Sequence, residues 1–328
     1  GYTFDEWKAL SKESIDPTRF ETRSVGDFRR DPDGPLNGRE AAASHRARVE
    51  TGIRWLLGDE PPGLPLPLRD QSRGRATINT GWRGQLFDRP FKIGGDIGGR
   101  SIAFGDDLQG EIYYPVPPDS ERPNRWAPDT LHPLAIWLHP YCYSMGYSRY
   151  QYWGPLVNQG FAVFAFDQIG FGVRTDSALR FYERYPNWSL LGKMVTDTRA
   201  AITAAARLSF VDPDRIFLIG YSLGGKVAIH TAAMDDRVSG ISLGCAFSPF
   251  RAMKPDDGSE GLRHYSHLHG LSPRLGFFEG AADRVPIDYD EILATVAPRP
   301  MQVVAPQFDR YNPVEHVRTA MGGVGEVY

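Results

Sequence analysis

Ser222 lies in the run Gly220-Tyr221-Ser222-Leu223-Gly224, between an apolar stretch at 216–219 and a helix-like stretch at 226–234. A serine in a G-x-S-x-G run between a buried strand and a helix is expected on a sharp turn, with its hydroxyl raised above the sheet. The glycines are needed because a side chain there would collide with the neighbouring strand or helix. A serine hydroxyl becomes a useful nucleophile only when an imidazole accepts its proton and a carboxylate orients that imidazole. The chemistry implied is acyl transfer. The rival reading is a serine that merely caps the helix. The five-residue pattern alone is weak, and the elements on both sides of it carry the case.

The partners of such a serine should stand at the carboxyl ends of the other strands. An oxyanion hole would take the backbone N–H of Leu223 and a second N–H from the loop that begins His139-Pro140-Tyr141. Pro140 has no N–H to give, so the second donor moves on to Tyr141 or Cys142. Asp309, which closes the run Met-Gln-Val-Val-Ala-Pro-Gln-Phe-Asp 87 residues after Ser222, is the acid candidate. Asp167, at another strand end, reads as a turn residue. The base is harder to place among the eight histidines. His316 follows Asp309 by seven residues, inside a helix-like stretch at 313–322. His264, His267 and His269 precede the acid. The expectation is a base beyond Tyr328, with His316 or one of those three as the alternatives.

These residues need a scaffold, and the hydrophobic pattern supplies one. Short alternating segments at 91–93, 101–104 and 110–116 read as antiparallel strands punctuated by glycine pairs. Continuous apolar runs follow at 134–138, 161–166, 216–219, 241–246 and 301–305. Continuous rather than alternating hydrophobicity marks strands buried on both faces. Helix-like stretches at 150–159, 194–208 and 226–234 separate most of them, which predicts a doubly wound, mostly parallel α/β sheet. Residues 1–90 are polar, hold one helix-like stretch at 39–57, and read as an N-terminal extension packed on a main domain at 91–328. The 48 residues from 251 to 298 interrupt the alternation and read as a lid insertion.

Composition removes several other functions. Of the 328 residues 37 are basic and 40 acidic, for a net charge of −3. No basic stripe of the kind nucleic acid requires is visible. The longest apolar runs are far too short to cross a bilayer. Two cysteines, Cys142 and Cys245, make neither a disulfide framework nor a metal cluster, and buried thiols are expected. No cofactor is implied.

The serine run and its surroundings resemble the α/β-hydrolase superfamily. More narrowly, the chain is similar to the acetyl-xylan-esterase-like branch, a carbohydrate esterase group. The likeness rests on residues 138–147, on Asp167-Gln168-Ile169-Gly170-Phe171-Gly172, on Tyr185-Pro186-Asn187-Trp188-Ser189 with Gly192-Lys193-Met194, and on Ala297-Pro298-Arg299-Pro300 with Val304-Ala305-Pro306. It covers roughly residues 90–328. The resemblance implies an α/β-hydrolase fold, a serine esterase removing acetyl or other acyl groups from carbohydrate through an acyl-serine, and a base after a final strand that this sequence lacks. Sugar binding by Tyr143 and Trp188 is suggested by aromatic side chains near the expected site, whose faces pack on sugar C–H bonds. Tyr150 and Trp153 fit equally well as a helix core face. A polysaccharide substrate and a first residue other than Met imply a secreted or periplasmic protein whose leader has been removed. Two alternatives stay open: a serine peptidase of the prolyl-oligopeptidase type, and a non-catalytic hydrolase-like binding module.

Overall fold

A computed structural model describes residues 3–30, 39–62, 91–92, 97–106, 108–115, 130–141, 153–254, 261–268 and 270–328. These form two compact units, one from residues 62–177 and 194–243, the other from 1–61, 178–193 and 244–328.

The first unit is built on a sheet. Its strands among the described residues are β1 (Phe91–Lys92), β2 (Ile97–Phe104), β3 (Leu108–Pro115), β4 (His132–Leu138), β5 (Ala162–Phe166), β6 (Val211–Tyr221) and β7 (Val238–Gly244). They lie in the order β1-β2-β3-β5-β4-β6-β7. The first three strands and the β3–β5 pair are antiparallel. β4 runs parallel to both β5 and β6. Every residue of β5, and Leu134–Leu138 of β4, is buried. On one face Tyr113, Ala135, Trp137, Val163 and Ala165 pack beneath Val157 of helix α3 (Trp153–Asn158). The alternate residues Leu134, Ile136, Phe164, Ile216 and Leu218 are equally buried. Both faces are covered, which is why these strands read as unbroken apolar runs.

Several boundaries differ from expectation. β6 begins at Val211 rather than 216, because its residues 212–215 are half-buried or exposed to water and carry little apolar signal. The following helix α6 (Leu223–Met234) starts directly after Ser222, three residues earlier than its apolar pattern suggested. Helix α5 (Leu190–Ala205) likewise starts ahead of the expected residue 194. Among the described residues no helix is long and apolar enough to cross a membrane.

The second unit holds α1 (Phe4–Ser11), α2 (Arg39–Leu57), α4 (Phe181–Arg184), α7 (Tyr289–Ala294), β8 (Met301–Val304) and α8 (Val314–Gly325). α1 was not expected, although its signal is present: Thr3 and Glu6 form a reciprocal capping box. Trp7, Phe28, Val49, Ile53 and Leu56 from the described N-terminal residues are buried in this unit. Trp7 is buried and donates from Nε1 to the Pro186 carbonyl at 2.9 Å. Gly58 pairs with Trp188 in an isolated antiparallel bridge.

A buried charge cluster ties the two ends of this unit together. Glu291 of α7 has a side chain with no exposure and receives Arg251 at 3.0 Å, Arg48 at 2.8 Å and Arg23 at 3.2 Å. Burial works to raise its pKa, but Arg251, then Arg48 and Arg23, outweigh it and hold the carboxylate below its usual range. Asp288 caps α7 and accepts the N–H groups of Phe250 and Arg251 at 2.8 and 2.9 Å. Removing one member of such a set leaves an uncompensated buried charge, which costs about 3–5 kcal/mol. Glu291→Ala strands the fully buried Arg251 guanidinium and is expected to lose stability of that order in urea unfolding. A loss below about 1 kcal/mol would show that the cluster is not coupled to folding.

Candidate active site

At the β6–α6 junction Ser222 has φ 51° and ψ −115°. A non-glycine residue in that region costs of the order of 1–3 kcal/mol and persists only where its surroundings impose it. They do so here. Ser222 O accepts the N–H groups of Gly225 at 2.9 Å and Lys226 at 3.2 Å, so the helix is already closed on the serine. A Cβ on Gly220 would lie 2.4 Å from the Gly224 carbonyl oxygen, and one on Gly224 would lie 1.9 Å from that of Leu138. Both glycines are therefore fixed by close approach. Ser222 makes no side-chain capping bond, which removes the rival reading of a helix-capping serine.

Parallel pairing places the next loop beside this turn. Leu138 of β4 stands in register with Gly220 of β6, so residues 139–141 leave the sheet alongside residues 221–223. Leu223 is the first residue of α6, where main-chain N–H groups have no intrahelical acceptor. Tyr141 is half-buried, with its ring 5.6 Å from that of Phe171.

His139 is fully buried and committed to structure. Its Nε2 accepts the Gln168 backbone N–H at 3.0 Å, so Nδ1 carries the proton and donates to the Pro140 carbonyl at 2.7 Å. Gln168 Nε2 returns a bond to the His139 carbonyl at 3.1 Å. Burial pushes the His139 pKa down, in keeping with a neutral ring. Asp167 is also a structural residue. Its Oδ2 accepts the Val173 N–H at 3.0 Å, and its carbonyl accepts Arg174, which pairs in turn with Asp197 at 2.9 Å. Nothing in the sequence beyond its place at a strand end marked Gln168 as a partner of His139.

The remaining candidates belong to the other unit. Asp309 sits in the turn after β8, partly exposed, with Oδ1 accepting the N–H groups of Tyr311 at 2.9 Å and Asn312 at 3.3 Å. Its Oδ2 accepts from Asn312 Nδ2 at 3.2 Å, and the same amide reaches the Cys245 carbonyl at 3.1 Å. The carboxylate is thus oriented by its own turn. His316, in α8, places Nδ1 3.0 Å from Ser248 Oγ. His267 packs its ring 4.6 Å from Phe4 and bonds Ser266. His264 lines a pocket of about 290 Å³ with Arg251, Arg263 and Glu279.

The expectation for Trp188 is corrected. It is 2% exposed, packed against Phe181 and Tyr185 at 5.8 and 5.7 Å, and offers no open face to a sugar. Tyr143, Cys142 and His269 lie outside the described residues.

The profile of the alpha/beta hydrolase family matches residues 130–323. YtaP of Bacillus subtilis (strain 168), a protein named as a hydrolase, is 29% identical over 167 residues; that match covers 49% of this chain, and the chain spans about half that relative's length, 51%. Among solved structures, a CE15 glucuronoyl esterase from Teredinibacter turnerae T7901 aligns at TM-score 0.64 and 15% identity, covering 96% of this chain and 80% of its own. A glucuronoyl esterase from Solibacter usitatus aligns at TM-score 0.66 and 14% identity, covering 95% and 86%. At these identities the two structures speak for the fold. The chain belongs to the alpha/beta hydrolase family.

Burial around the turn has a measurable consequence. His230 of α6 is completely buried, donates from Nδ1 to the Lys226 carbonyl at 2.7 Å, and is pushed down to about 4 by desolvation. Its folded pKa lies below the unfolded value of 6.5. The unfolded chain therefore takes up the proton first, so stability is full above pH 6.5 and falls as the pH drops towards 4. Unfolding free energies at pH 7 and 4.5 should differ by roughly 2–3 kcal/mol more in the parent than in His230→Asn, which keeps a donor for Lys226 O. Equal differences would show that His230 does not titrate on unfolding.

Proposed function

We propose that this member of the alpha/beta hydrolase family is a serine carboxylic-ester hydrolase that removes acyl groups from carbohydrate. The observation that carries the reading is Ser222. It holds a strained positive φ between a buried strand and a helix, and its hydroxyl is not used as a cap. A hydroxyl held in that way is free to attack, and the strain has no other evident use.

In this mechanism Ser222 Oγ attacks the ester carbonyl as a base takes its proton. The developing oxyanion accepts the N–H groups of Leu223 and Tyr141, and an acyl-serine forms as the alcohol leaves with a proton. Water then repeats the attack and releases the acid. Asp309 is assigned to orient the imidazole. Its carboxylate is already held by Tyr311 and Asn312, which lowers the cost of ordering it.

The base is assigned to a histidine, and three of the described ones already have partners. His139 and His230 are buried and committed to main-chain bonds. His316 Nδ1 is held by Ser248.

The carbohydrate part of the proposal is supported by the likeness to glucuronoyl esterases, and the acetyl part by the resemblance to acetyl-xylan-esterase-like proteins.

Ser222→Ala is expected to lower kcat on p-nitrophenyl acetate by at least about 10⁴-fold while leaving the unfolding midpoint near the parent. Activity retained by folded Ser222→Ala would remove Ser222 as nucleophile. An aminoacyl p-nitroanilide offered beside the ester should not turn over, and its cleavage would favour the peptidase. His316→Ala should keep at least about a third of the parent kcat, whereas a loss comparable to that of Ser222→Ala would place the base at 316.

A further inference from the structure

The Asp167–Gly172 turn, conspicuous in the sequence, has no part in the chemistry described so far. It nevertheless touches the oxyanion loop at four points. Gln168 holds His139 twice, through its backbone N–H to Nε2 at 3.0 Å and its side-chain Nε2 to the carbonyl at 3.1 Å. Phe171 packs on the His139 ring at 5.2 Å and on the Tyr141 ring at 5.6 Å. The turn is itself rigid. Asp167 Oδ2 accepts the Val173 N–H, Phe171 N–H bonds the Gln168 carbonyl at 3.1 Å, and Arg174 N–H bonds that of Phe171 at 2.8 Å.

Pro140 sits between His139 and Tyr141 and supplies no N–H of its own. Its carbonyl is taken by His139 Nδ1 at 2.7 Å. The short path from β4 to the Tyr141 N–H is thus held by the imidazole and the Gln168 amide. Gln168 is 1% exposed, so it acts from behind the loop and not on a substrate. Its Oε1 has no partner among the described residues, so the donor half of the amide is the half the fold uses.

We propose that Gln168 is a positioning residue for acyl transfer: by clamping His139 at ring and carbonyl, it sets where the Tyr141 N–H points relative to Ser222. This rests on the serine-esterase reading. An oxyanion donor acts mainly in the transition state, so its displacement lowers kcat and leaves KM nearly unchanged. A purely structural role for Gln168 would lower the unfolding midpoint and leave the kcat of folded protein alone.

The test is Gln168→Leu, which removes the side-chain donor and keeps the backbone N–H on His139. We expect kcat on p-nitrophenyl acetate to fall about 10–100-fold with KM within about 2-fold, as displacement of a donor by about an ångström implies. Inhibition by phenylboronic acid, which mimics the tetrahedral adduct, should weaken in the same proportion as kcat. Should Gln168→Leu fail to fold, Phe171→Leu unloads the same loop from the ring side and carries the same expectation. Parent-like kcat and boronate inhibition in a folded variant overturn the proposal while leaving the esterase reading intact. A parent protein that hydrolyses no ester and takes up no fluorophosphonate at Ser222 overturns both.

Discussion

The carbonyl oxygen of Leu138 lies where a Cβ on Gly224 would be 1.9 Å away. That close approach is the constraint on which the candidate site depends. It exists because β4 and β6 are parallel neighbours with Leu138 opposite Gly220, so both strands end at the same height. A helix that starts one residue after Ser222 must then pass against the end of β4, and only glycine at 220 and 224 permits it. The positive φ of Ser222 follows from the same crowding. One register thus sets the serine, the start of α6 and the loop at 139–141 together.

Around this turn the fold treats ionisable groups in two ways. Near the sheet burial pushes three of them towards the neutral form. His139 and His230 are both depressed by burial and spend their ring N–H on main-chain carbonyls. Glu111 of β3, which accepts from Tyr113 OH, is raised by burial. In the other unit Glu291 keeps its charge, compensated by three arginines. The difference has a physical reason. A lone histidine or carboxyl avoids the cost of a buried charge by staying neutral, whereas an arginine cannot lose its proton and must bring a partner.

Much of the first unit was legible in the sequence because its strands are covered on both faces, and an apolar run survives any detail of packing. The strand ends were harder. Asp212–Arg215 are strand without apolar signal, and α6 begins in a glycine pair that no helix propensity would favour. The second unit was least legible. α1 carries a readable capping box, but Asp288-Tyr289-Asp290-Glu291 looks like a solvated acidic run and is in fact fully buried. Arginines from distant positions offset the charge of Glu291, and main-chain N–H groups satisfy Asp288 and Asp290. Trp188 failed as a sugar-stacking residue for a related reason: an aromatic near a site in sequence gives no account of which neighbours cover it.

The sequence by itself determined the sharp turn at Ser222. A serine between two glycines, flanked by a buried strand and a helix, has few conformations open to it, and those are local. It also determined the parallel strands, whose hydrophobicity is intrinsic to each segment. Tertiary structure alone decided what His139, Gln168 and Glu291 do, because each takes its role from a partner that chain distance conceals. His139 and Gln168 are 29 residues apart, and Glu291 and Arg48 are 243 apart. Local pattern reads backbone preference, but hydrogen bonds and ion pairs between distant segments exist only once packing has excluded water and brought the groups within reach.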